Sequence, residues 1–120
     1  MKRAAILVVD DEPEIRELMK ACLEIEGFVV ITAANGREGL QRYKENKDQV
    51  RVIITDLDMP AMTGPDMIRK IFKITPAAKV IVASGRSGSY VESGEGPIGT
   101  ASLQKPYSSR ELTAAVRLLL

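Results

Sequence analysis

The chain has 120 residues, 17 basic against 16 acidic side chains and a formal net charge of +1; that length holds one hydrophobic core, so residues 1–120 are expected to form a single domain. It has no histidine and one cysteine, which excludes a Ser-His-Asp triad, an imidazole metal ligand, a phosphoryl group carried on imidazole, an internal disulfide and a thiolate zinc site. Interspersed charges and five scattered aromatics offer no footprint for nucleic acid, and strand-sized apolar runs without a signal-peptide core point to a soluble, cytoplasmic chain with no membrane insertion.

Continuous apolar runs alternate with helical periodicity, the pattern of a parallel sheet covered on both faces. A first strand is expected over residues 4–9. Ile15, Leu18, Met19, Cys22 and Leu23 then recur at the spacing of one buried helical stripe, with Cys22 as small core filling, and Gly27 ends that helix. A second strand over residues 29–33 leads to a helix over about 36–46 through Leu40 and Tyr43. A third strand covers residues 52–55. The third helix runs from Pro65, suited to a first helical turn, through Ile68, Ile71 and Phe72, and Pro76 closes it. Residues 80–83 form a fourth strand.

Alternation then calls for a fourth helix across residues 85–99, but this stretch holds five of the nine glycines, three serines and Pro97. Each glycine costs about 1 kcal/mol relative to alanine and an interior proline about 3. A short, irregular or mobile helix is expected there. A weak fifth strand over residues 100–104 precedes a last helix, residues 109–120, with Leu112, Ala115, Val116 and Leu119 on one side.

Ligands of open α/β sheets bind outside the carboxyl ends of the strands, and the residues at those ends are unusual here. The first strand runs into Asp10, Asp11 and Glu12, the third into Asp56 and Asp58, the fourth into Ser84 and Gly85, and the fifth into Lys105 and Pro106. If the first and third strands are neighbours, Asp10, Asp11 and Asp56 converge, and carboxylates that close need a cation to stay ionised. An all-oxygen set without His or Cys points to Mg²⁺. Each residue also has a plainer reading: Asp11 could cap the first helix ahead of Pro13 and Glu14, Asp56 could serve a turn, Ser84 could simply end a strand and Lys105 could be a solvated cation. Their meeting at one sheet edge in complementary roles favours a joint site.

The segments ILVVDDEP, VIITDLDMPAMTG, VIVASG and LQKPY resemble the receiver (phosphoacceptor) domain of two-component response regulators, and the resemblance extends over residues 5–118. It implies a flavodoxin-like, doubly wound sheet of five parallel strands in the order 2-1-3-4-5, with helices on both faces. It further implies that Asp56 takes a phosphoryl group from a histidine kinase or histidine phosphotransfer protein in a Mg²⁺-dependent reaction and that the domain then switches conformation. Asp11 and Asp56 would hold the metal directly, Asp58 through its main-chain carbonyl and Asp10 through water. Lys105 and Ser84 would contact the phosphoryl oxygens, Pro106 would follow a cis peptide bond, and Gly64 would belong to the structural turn after the acceptor. The only reactions catalysed would be the domain's own phosphorylation and dephosphorylation.

Two features depart from the family pattern. Ser102 stands where the family usually has Tyr or Phe, three residues before the lysine, and the glycine-rich stretch replaces the fourth helix. An interaction module that has lost phosphorylation is one alternative, against which the complete acidic set argues. A haloacid-dehalogenase-like phosphatase is another, suggested by Asp56-Leu57-Asp58, but it leaves Asp10, Asp11 and the turn through Gly64 unexplained and needs a larger core. The downstream effector is not encoded in these residues.

Overall fold

The computed structural model describes residues 4–56, 62–84, 91–92, 96–97, 101–105 and 107–120. In chain order the elements are β1 (Ala5–Val9), α1 (Pro13–Ile25), β2 (Val29–Ala33), α2 (Gly36–Asn46), β3 (Val50–Asp56), α3 (Gly64–Ile74), β4 (Val80–Ser84), β5 (Val91–Glu92), β6 (Gly96–Pro97), β7 (Ala101–Gln104) and α4 (Ser109–Leu119). Five strands make one parallel sheet in the order β2-β1-β3-β4-β7. This is the 2-1-3-4-5 arrangement expected from the sequence, with β7 as the fifth strand.

β1 reads AILVV and all five residues are buried, as a central strand covered on both faces requires. Its side chains divide by parity. Ala5, Leu7 and Val9 pack with Tyr43 of α2 and Met67, Ile68 and Ile71 of α3. Ile6 and Val8 pack on the opposite face with Met19 and Leu23 of α1 and Leu112 and Val116 of α4. Gly39 lets α2 approach β1 closely, since a Cβ there would stand 2.6 Å from Met67 Sδ and 2.9 Å from Val9 Cγ2. Gly27 takes φ 94° and ends the first helical segment as expected, because only glycine adopts that conformation at little cost.

Three expectations are corrected. The stretch after β4 does not supply a helix among the described residues; β5 and β6 pair antiparallel instead, Val91 opposite Pro97 and Glu92 opposite Gly96. A glycine-rich segment lacks the side chains that a helix buries on a sheet. The rest of residues 85–99 lies outside the described residues. Second, Leu18 is 61% exposed, so the buried face of α1 narrows to Met19 and Leu23, with Ile15 and Cys22 partly covered. Third, β3 begins at Val50 and continues through Asp56, longer at both ends than its apolar run.

Candidate functional site

Sheet register assembles the site. Val9 of β1 pairs with Thr55 of β3, which puts Asp10 level with Asp56 at the carboxyl edge. Asp56 pairs with Ala83 of β4, and Ser84 with Gln104 of β7, which places Lys105 just beyond that edge. The strand order reverses between β1 and β3, the position where an open α/β sheet presents its crevice. Asp10, Asp11 and Asp56 each offer a carboxylate oxygen there, and these oxygens lie within 4.8 Å of one another. Asp10 is buried, Asp11 exposed and Asp56 between the two.

Lys105 closes the group from the far side of the sheet. Its Nζ donates to Asp56 Oδ2 at 3.3 Å and stands 3.6 Å from Asp10 Oδ2. Burial works against the ammonium, yet the carboxylates of Asp56 and then Asp10 hold its pKa above the ordinary lysine value. Asp10 shows the opposite balance: burial pushes its carboxyl above the usual carboxylate range, and the Glu12 N–H and Lys105 only partly offset it. A buried acid beside two further acids is the electrostatic state that a hard cation relieves, and a set of oxygen ligands suits Mg²⁺. Asp10 Oδ2 is buried without a hydrogen-bond donor among the described residues, a second sign that the residues fit such a cation.

Asp10 is fixed from three directions. Its N–H donates to the Ala33 carbonyl at 3.1 Å, its Oδ1 accepts the Glu12 N–H at 2.9 Å, and its carbonyl accepts Arg16 Nη1 at 2.7 Å. The capping role open to Asp11 is not observed. α1 starts at Pro13 with Glu12 at the N-cap and no side-chain cap bond, so Asp11 is left facing the crevice edge. Thr63, not Asp56, caps α3, its side chain accepting the Asp66 N–H. Gly64 opens α3 and is buried. Ser84 is the last residue of β4; its side chain, together with Asp58 and Pro106, lies outside the described residues. Ser102 sits on β7 and is exposed.

Two neighbours of the site went unread in the sequence. Arg16 holds the end of β1 from the first turns of α1, a contact that spacing alone does not announce. Tyr107, two residues after Lys105, packs on the α1–α4 side of the sheet. Its phenol is pushed up to about 12, chiefly by burial and then by the charges of Asp10 and Asp56.

A doubly wound five-stranded sheet with an acid triad and a lysine at its carboxyl edge defines a class, and comparison with known proteins agrees. Residues 6–117 match the response regulator receiver domain, and the chain belongs to that family. Chemotaxis protein CheY of Thermotoga maritima is 41% identical over 80 residues, covering 66% of this chain and 65% of that protein. The transcriptional regulatory protein CpxR homolog of Haemophilus influenzae is 34% identical over 117 residues, 96% of this chain but 49% of the relative. This chain thus spans about two thirds of one relative and about half of the other. The crystal structure of response regulator protein TrrA from Thermotoga maritima, in complex with Mg(2+)-BeF, superposes with a TM-score of 0.85 at 34% identity, covering 98% of this chain and 99% of that one. Among the described residues no helix is long and apolar enough to cross a membrane.

Proposed function

We propose that this domain accepts a phosphoryl group on Asp56 from a phosphohistidine of a kinase or phosphotransfer protein, and changes conformation to signal. The observation that carries the reading is the convergence of Asp10, Asp11 and Asp56 with Lys105 Nζ 3.3 Å from Asp56 Oδ2. The absence of histidine in the chain leaves the donor imidazole to a partner or to a small phosphodonor. An Asp56 carboxylate oxygen forms the new P–O bond while the P–N bond to the donor breaks, and the electron pair returns to the imidazole nitrogen. Phosphoryl transfer asks mainly for positioning and charge neutralisation. Lys105 supplies a fixed cation beside the acceptor and follows the added oxygens.

Asp11 and Asp56 would hold Mg²⁺, with Asp10 acting through water and Asp58 through its carbonyl. When bound, that cation neutralises the carboxylates and the phosphoryl oxygens. Ser84 would contact the same oxygens. The Mg²⁺-BeF complex of TrrA supports this assignment by kinship. In this reading the domain turns over no external substrate, beyond its own phosphorylation and dephosphorylation, and acts in the cytoplasm. The effector would be a protein partner rather than nucleic acid bound by this chain.

Incubation with Mg²⁺ and acetyl phosphate followed by intact-mass measurement tests the proposal. One phosphate adduct is expected, lost in Asp56→Ala and on chelation of the metal. No adduct, under conditions that label an ordinary receiver, would return the protein to the interaction-only reading.

A further inference from the structure

Two buried polar atoms beside the acid triad lack a hydrogen-bond partner among the described residues: Asp10 Oδ2 and the Tyr107 hydroxyl. They are complementary, since an ionised carboxylate only accepts and a phenol donates. They also share a corner of the molecule. Lys105 Nζ stands 3.6 Å from Asp10 Oδ2, and Lys105 and Tyr107 line one groove of about 750 Å³ between α1 and α4, floored by Met19 and Leu112. The Tyr107 ring is anchored against the core of that face, leaving its polar tip to find a partner. Burial and the nearby acids keep the phenol protonated, and therefore a donor, at neutral pH.

A buried polar group left without a partner keeps its full desolvation cost. Phenylalanine would fill the same space without that cost, so the hydroxyl calls for an acceptor in some state of the domain. Lys105 is shared between Asp10 and Asp56. A phosphoryl group on Asp56 gives it a stronger anion and takes counter-charge away from Asp10 Oδ2, which remains buried. We propose that Tyr107 is a positioning residue for Asp10, its hydroxyl donating to Asp10 Oδ2, directly or through one water, when Lys105 is drawn to the phosphoryl group. The inference rests on the phosphoacceptor reading. It gives the domain an aromatic group coupled to the site on the α1–α4 side, whereas Ser102 on β7 has no ring.

Beryllofluoride with Mg²⁺ serves as the probe, a stable stand-in for the phosphoryl group, with affinity measured by calorimetry on the wild type, Tyr107→Phe, Asp10→Asn and the double variant. Tyr107→Phe is expected to melt no lower than the wild type without ligand, yet to bind the probe roughly tenfold more weakly, the size of one hydrogen bond to a charged group. In the Asp10→Asn background the same substitution should change affinity by less than about twofold. Equal affinity of wild type and Tyr107→Phe, or an undiminished loss in the Asp10→Asn background, overturns the proposal. Should Asp10→Asn bind too weakly to measure, the ζ-carbon NMR resonance of isotope-labelled Tyr107 decides: it must shift when the wild type binds the probe, and an unmoved resonance overturns the proposal. A wild type that binds no beryllofluoride sinks the phosphoacceptor reading and this inference together; binding without any Tyr107 effect sinks the inference alone.

Discussion

Asp10 and Lys105 show how neighbours set the protonation of buried groups here. Asp10 is 1% exposed, and its raised pKa records first the cost of keeping a carboxylate dry; Asp56, whose charge adds to that cost, instead favours the charged form of Lys105. Tyr107 follows the logic of Asp10, and its value is high enough to be seen directly. A group whose folded pKa of about 12 exceeds its ordinary 10.0 contributes stability that is complete below pH 10 and is lost as pH rises through about 12. Phenolate absorbance should therefore show a late component from Tyr107 near 12, alongside loss of helical circular dichroism. Tyr107→Phe should lack that late component; an unchanged titration curve in this variant would contradict the burial of the hydroxyl. The carboxylates and the lysine were legible in the sequence because they follow apolar strands. Tyr107 was not singled out, since an aromatic after Lys-Pro reads equally well as core.

At the scale of elements, the helices are placed by their caps and close approaches. Asn35 accepts the Glu38 N–H at 2.9 Å to start α2, and Ser108 and Glu111 form a reciprocal capping box at α4. The first turn of α2 presses on the chain that follows Asp56, where a Cβ on Gly36 would collide with the Met62 carbonyl oxygen and stand 3.0 Å from its carbon. Gly36→Ala gains at most about 1 kcal/mol of helix propensity against an overpacking cost of about 1–3 kcal/mol at a backbone that cannot swing aside. Urea denaturation should show a net loss of about 1 kcal/mol, and acetyl phosphate labelling should slow because Met62 follows Asp56 by six residues. A variant as stable as the wild type would show that α2 shifts freely. The strands and the four helices were readable as apolar periodicity. The β5–β6 pair was not, because a two-residue strand carries no period.

For the whole molecule, a net charge of +1 conceals a local excess of three carboxylates at one sheet edge. Their repulsion destabilises the metal-free fold, so Mg²⁺ should raise the melting temperature, by an amount equivalent to about 2.7 kcal/mol when its concentration is about 100 times the dissociation constant. Chelation should reverse the gain, and Asp11→Ala should abolish most of it. A melting temperature indifferent to Mg²⁺ would mean that the pairing of Lys105 with Asp10 and Asp56 already suffices to hold the acids together. The sequence by itself determined the parallel sheet, the order of the charged residues along the chain and the lack of any histidine, because apolar period and residue type are local properties. Only the tertiary structure decided that Asp11 does not cap α1, that Lys105 spans Asp10 and Asp56, and that Tyr107 and Asp10 hold unmet, complementary atoms. Those facts depend on strand register and on which atoms lose water, and both are settled by residues far apart in the chain.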